Sequence, residues 1–327
     1  MKIAFMFPGQ GAQYIGMGKD LYENYEEVKE VYNKASRITN IDIATLCFNG
    51  VKREYIEDQE LLETDDISDE LNKTENTQIA IATMSLAILE ILKKEQIVAD
   101  IAVGLSLGEY TALIYGGYMN FEDGMNLLKK RGYLMAHKVP KEEYSMAAVI
   151  GLESNKIEEI CKRMQEAKLF IVPANYNYSN QTVISGTSEA IDKAISILKE
   201  AGAKKVIKLQ TNGPFHTTKL IEARNEYKNE LQKINLKNGN IKVIKNIDGT
   251  LYNEKDDKKQ ILADHIISPV RFDKAINLMK DNNIDTFIEI GPGKALSGFI
   301  KKELSDIRVF NISDCETLNN TLNQIKL

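Results

Sequence analysis

Cysteine is scarce: Cys47, Cys161 and Cys315 are the only three, and they lie far apart in the chain. They form no metal or redox spacing, and an odd, unpatterned count fits a reducing, cytoplasmic setting better than a secreted disulfide scaffold. Histidine is equally scarce, with three residues, so chemistry that needs an imidazole has few to draw on. No basic stripe with interleaved aromatics occurs. A net charge of −5 and a pI near 5.5 argue against nucleic acid as the main partner. The lysine pairs Lys129–Lys130, Lys204–Lys205 and Lys301–Lys302 are expected at helix and strand ends. No run is long and apolar enough to span a membrane. The most apolar stretch, "TQIAIATMSLAILEILKK", is interrupted by Thr83, Ser85 and Glu90 and is expected to be a core helix. The start, "MKIAFMFPGQG", lacks the length and cleavage pattern of a signal peptide and reads as a first buried strand.

What is present is a real core: 43% of residues are apolar and 27% charged. "KIAFMF" and "VADIAVG" are short apolar runs without clean alternation, as in strands covered on both faces. The second leads into the helix "LGEYTALIYGGYM". Near the other end "DTFIEIGPGKALSGFIKK" repeats strand, Gly-Pro-Gly turn and helix. Such units predict a mainly parallel sheet flanked by helices. Residues 142–210 follow a different rhythm. "MAAVIGL", the helix "SNKIEEICKRMQEA" with a Ser or Asn cap, "LFIVPANY", the turn "NYSN", "QTVISG", the helix "TSEAIDKAISILKEAG" and "KKVIKL" spell βαββαβ, the ferredoxin-like order. We expect a small subdomain over 142–210, entered at Pro140, set into a core formed by 1–141 and 211–327. The acidic stretch 52–76 has weak apolar spacing and is expected to be a solvated loop or short exposed helix.

Ser106 stands at G-x-S-x-G spacing in "GLSLGEY", between a buried strand and a helix. A sharp turn there projects a hydroxyl, and the following helix N-terminus favours a developing oxyanion. A tight turn with a small residue explains the same glycines. A nucleophilic serine needs a base. His137 follows a helix and suits a surface position; His265, in "LADHIISPVRF", suits a structural one. His216, in "TNGPFHTTKL", sits at an element boundary, where a general base is well placed. His216 ranks first and His265 second.

"FMFPGQGAQ", "GLSLGEY", "RGYLMA", "PANYNYSNQTVISG", "GPFHT", "SPVRF" and "FIEIGPGKALSGFI" occur in the order of the acyltransferases of fatty acid and polyketide synthesis, which the chain resembles over nearly its whole length. Within them it is similar to the malonyl-CoA:acyl carrier protein transacylases. The resemblance implies an α/β-hydrolase-like core with a ferredoxin-like insertion. It also implies transfer of a malonyl group from malonyl-CoA to the phosphopantetheine thiol of acyl carrier protein, without metal or resident cofactor. By position, Ser106 would be the nucleophile and His216 the base. The backbone N–H groups of Gln10 and Leu107 would form the oxyanion hole. Arg131 would grip the malonyl carboxylate, as a guanidinium can bidentately, although a helix-end surface charge fits its spacing equally well. Phe215 would select malonyl over branched units, and Asn175 would help position the acyl group. Backbone carbonyls, rather than an Asp, would orient His216.

The chain departs from the family pattern at three places. Leu105 stands where the family has His, which bears on rate or selectivity. His265 stands where it has Gln, near the base and substrate, and its side chain bears on how His216 titrates. The acidic segment is also longer than expected. Two other functions share parts of this pattern. An acyl hydrolase clearing carrier proteins would use Ser106 and His216 but has no need of Arg131; a non-catalytic carrier-binding module would not need the intact set. "GPGKALSG" lacks the spacing of a phosphate-binding loop.

Overall fold

The apolar runs at the N-terminus and after Asp100 become adjacent parallel strands. A computed structural model describes residues 1–57, 61, 68–211 and 213–325. β1 (Ile3–Phe7) is buried at every position, which explains its lack of polar alternation: helices cover both faces. The chain continues through α1 (Lys19–Asn24), α2 (Glu26–Thr39) and α3 (Ile43–Asn49). After a 3₁₀ turn at Glu70–Asn72 comes the long α4 (Thr74–Lys94). β2 (Ile101–Gly104), α5 (Gly108–Tyr115) and α6 (Phe121–His137) follow. Then come β3 (Tyr144–Ile150), α7 (Ser154–Glu166), β4 (Ile171–Tyr178), β5 (Gln181–Thr187), α8 (Ser188–Glu200) and β6 (Lys205–Lys208). The last part holds α9 (Ile221–Gln232), β7 (Lys242–Val243), α10 (Lys258–His265), β8 (Val270–Arg271) and α11 (Phe272–Asp281). It ends with β9 (Thr286–Ile290), α12 (Ala295–Glu303), β10 (Arg308–Ile312) and α13 (Cys315–Ile325).

The first sheet has the order β10-β9-β1-β2-β7 and is parallel throughout. α4 packs in its core with Ile79, Ile81, Ile88 and Leu92 fully buried, each contributing about 1.5–3 kcal/mol of transfer free energy. Among the described residues no helix is long and apolar enough to cross a membrane. The second sheet has the order β6-β3-β5-β4-β8. Its first four members are antiparallel neighbours with α7 and α8 between them in sequence, the predicted βαββαβ arrangement.

Some details differ from expectation. The second sheet gains a fifth strand, β8, from outside 142–210, with Asn175 opposite Val270 and Tyr176 opposite Arg271. Glu153, not Ser or Asn, precedes the first turn of α7 as its cap, and the Ser154 hydroxyl pairs with Thr182 instead. β4 runs on through Tyr178, so only Ser179–Asn180 make the turn. Lys129–Lys130 lie inside α6, where Lys129 Nζ donates to the Thr39 carbonyl at 2.6 Å. In the acidic stretch, 52–57 have no regular structure, 58–60 and 62–67 lie outside the described residues, and 70–76 are tied in by buried Leu71 and Asn76. Residue 212, four positions before His216 in the sequence, is also outside them.

Candidate active site

The turn between β2 and α5 is set by glycines. A Cβ at Gly104 would sit 1.8 Å from the Gly108 carbonyl carbon, and one at Gly108 would sit 2.2 Å from the Phe7 carbonyl oxygen. Strand, turn and helix can approach this closely only without side chains there. The turn holds Ser106 at φ 54°, a left-handed conformation that non-glycine residues avoid, and His216 is likewise held at φ 58°. Strain of this kind costs about 1–3 kcal/mol per residue and is found where surrounding structure fixes a functional side chain.

The two strained residues meet. Ser106 Oγ lies 2.8 Å from His216 Nε2. His216 Nδ1 faces the carbonyl oxygens of His265 at 3.0 Å and Ser268 at 3.2 Å. Two acceptors there require the proton on Nδ1, so the Nε2 lone pair is left for the serine hydroxyl. Burial, assisted by the nearby Arg131 guanidinium, lowers His216 from 6.5 to about 3, against the two carbonyls, which favour the charged form. The ring is therefore neutral at pH 7, as a base must be.

Arg131 comes from α6 and is 1% exposed. Its Nη2 donates to Ser106 Oγ at 3.1 Å and its Nη1 to Gln78 Oε1 at 2.8 Å, while Nε has no partner among the described residues. The guanidinium carbon lies 5.4 Å from the centroid of the Tyr110 ring. No carboxylate pairs with it among the described residues, although buried cations are normally paired.

A cavity of about 390 Å³ opens over Ser106, with Gln10, Arg131, Asn175, Phe215 and His216 in its walls. The Gln10 side chain turns to Thr74 Oγ1, 3.0 Å away. The backbone N–H groups of Gln10 and Leu107 have no acceptor among the described residues, and Leu107 caps α5. Leu105 also lines the cavity. His265 does not, which corrects its expected contact with substrate: it is fully buried behind His216, its ring stacked there at a centroid distance of 5.1 Å. Its carbonyl, not its ring nitrogens, meets His216 Nδ1. His137 is exposed in the last turn of α6, beside Glu75.

Three buried polar side chains around the site were not singled out in the sequence. Gln78 holds Arg131. Asn246 accepts the Ser106 N–H at 2.7 Å and donates to the Gly104 carbonyl at 2.7 Å, clamping the turn from both sides. Glu109 lies behind Asn246 and accepts its N–H at 3.3 Å. An amide inside the apolar run of α4 was a visible signal for Gln78; Asn246 and Glu109 carried none.

Comparison with known proteins follows the same lines. The sequence profile of the acyl transferase domain family matches residues 4–321. A malonyl CoA-acyl carrier protein transacylase of Bacillus subtilis (strain 168) is 37% identical over 325 residues, covering 99% of this chain and 98% of its own. The crystal structure of a malonyl CoA-acyl carrier protein transacylase from Clostridium perfringens is 41% identical with a TM-score of 0.91, covering 100% of this chain and 98% of that one. A malonyl-transacylase solved in complex with a type II PKS acyl-carrier protein is 28% identical with a TM-score of 0.90, covering 99% and 100%.

Proposed function

The chain belongs to the acyl transferase domain family, and from that premise we propose that its cavity carries malonyl transfer from malonyl-CoA to acyl carrier protein through an ester on Ser106. The observation that carries this reading is Arg131: a buried guanidinium, 3.1 Å from the nucleophile and paired with no acid among the described residues, is a site for a substrate carboxylate.

In the first half-reaction Ser106 Oγ attacks the thioester carbonyl while its proton moves to His216 Nε2. The carbonyl oxygen becomes an oxyanion facing the N–H groups of Gln10 and Leu107; losing one such donor costs about 10²–10³ in rate. The tetrahedral intermediate collapses, the C–S bond breaks, and His216 returns the proton to the departing CoA sulfur. In the second half His216 takes the proton of the phosphopantetheine thiol, whose sulfur attacks the serine ester. The C–O bond then breaks and Ser106 recovers its proton. Arg131 holds the malonyl carboxylate throughout, while Phe215 and Asn175, both in the cavity wall, bound the acyl group. Malonyl-CoA enters as substrate, and the residues supply acid–base and electrostatic catalysis without a resident cofactor. A cytoplasmic setting belongs to the same reading, supported by three free cysteines.

The test is mass spectrometry of the protein with malonyl-CoA, then with phosphopantetheinylated carrier protein. A malonyl mass on Ser106 that passes to the carrier is expected; acyl loss to water instead would favour a hydrolase. Arg131→Ala should slow malonyl transfer at least about 100-fold, the loss of a charge-assisted bidentate contact, and acetyl transfer far less. Equal losses would remove Arg131 from substrate binding.

A further inference from the structure

Glu109, in the first turn of α5, takes no part in the steps above, yet it touches both limbs of the site. It is fully buried. Its Oε2 accepts the N–H of Asn246, whose side chain holds the Ser106 N–H. The same oxygen lies 3.0 Å from Nδ1 of His265, whose carbonyl holds His216 Nδ1. Its other oxygen accepts from the Tyr252 hydroxyl at 2.6 Å. His265 is the weak point of this cluster. Both ring nitrogens are buried without an aligned hydrogen bond among the described residues, a costly state for polar atoms, and the carboxylate is already in reach of one.

We propose that Glu109 and His265 share one proton across this 3.0 Å contact, and that Glu109 is a positioning residue that holds Ser106 through Asn246 and His216 through His265. Its catalytic consequence rests on the acyl-transfer reading. The charged and titratable groups around the pair are Arg131 of α6, Tyr110 of α5, Asp248 and Tyr252 after β7, and His216 itself. Burial raises the Glu109 carboxyl from 4.5 to about 7, and burial, with His216 and Arg131, holds the His265 ring well below its usual value. Near neutrality the pair therefore passes between two states. In one a carboxylic acid donates to Nδ1 and the pair is uncharged. In the other one proton has left, Nδ1–H donates to a carboxylate, and the pair carries one negative charge. That charge beside the stacked His216 ring makes Nε2 more basic, so acylation quickens as pH rises through the transition.

Three histidines make the test direct. Histidine-selective carbon-13 labelling gives three ring signals, assigned with His137→Gln and His265→Gln. In the wild type the His265 signal should step through neutral pH, and in Glu109→Gln the step should vanish. Single-turnover acylation by malonyl-CoA should show the matching inflection in the wild type. Glu109→Gln and His265→Gln should each lose it, with rates down about tenfold, as for a slightly misplaced reacting group, and KM changed less than about twofold. The double variant should be no slower than Glu109→Gln alone. A His265 step that survives Glu109→Gln, or losses that simply add, would overturn the proposal. If Glu109→Gln does not fold, the wild-type titration and the His265→Gln rate profile decide in its place: no step in the one, or an unchanged inflection in the other, overturns it. A wild-type protein that takes no malonyl group would sink the acyl-transfer reading while leaving the ring titration interpretable.

Discussion

At the scale of single residues, the site depends on groups that do no chemistry. Asn246 satisfies the N–H of Ser106 itself and the carbonyl of Gly104 two residues before it. Asn246→Ala should destabilise the fold by about 1–3 kcal/mol, the cost of leaving buried polar groups unmade. It should slow acylation with KM little changed, as denaturant titration and single-turnover kinetics would show; an unaffected rate would mean that the turn holds itself. Ser106→Ala and His216→Ala should each be about as damaging as the pair together, because they act as a unit. The sequence singled out Ser106, through glycines placed where strand meets helix, and ranked His216 above its two competitors by its place at an element boundary; the structure brings the two together. The sequence could not place Arg131: the helix-end position it suggested is in fact inside α6, six residues before His137, and a guanidinium on a helix looks the same in sequence whether buried or exposed, so only the register of neighbouring motifs separated the two. Asn246 was beyond local pattern altogether, since it stands 140 positions from the serine it holds.

At the scale of elements, legibility followed length. β1, β2 and β9 were readable because each is an apolar run ended by a glycine turn. β7 and β8 have two residues each and were not; two residues carry no periodicity, and their extension is imposed by the neighbouring strand. The turn at Ser106 is tightly constrained by backbone on both sides. Gly108→Ala would drive a Cβ to 2.2 Å from a backbone oxygen of β1, which cannot yield as a side chain would. A loss of about 1–3 kcal/mol or more is expected for such overpacking, read as a lowered melting temperature, together with slower acylation. A variant as stable and active as the wild type would show that β1 can shift aside.

At the scale of the whole molecule, two buried groups set opposite pH dependences of stability. His216 is held down at about 3 against 6.5 in an unfolded chain. Its neutral form therefore supports the fold fully above pH 6.5, and that support is lost as pH falls from 6.5 towards 3. Glu109 is raised from 4.5 to about 7, so its contribution is complete below pH 4.5 and disappears as pH climbs through 7. Denaturation midpoints measured from pH 3 to 8 should fall less steeply on the acid side in His216→Ala than in the wild type. Identical slopes would mean that the imidazole is not held neutral by folding.

The ladder between β4 and β8 also bears on how this chain can be cut. Asn175 and Tyr176 take their outer neighbour from Val270 and Arg271, so a fragment excised at 142–210 would leave with a raw edge where that neighbour had been. Unpaired strand edges recruit other chains. Such a fragment, expressed alone, would be prone to stick to its own copies, and a synthetic peptide spanning 268–273 would be the natural plug for the gap.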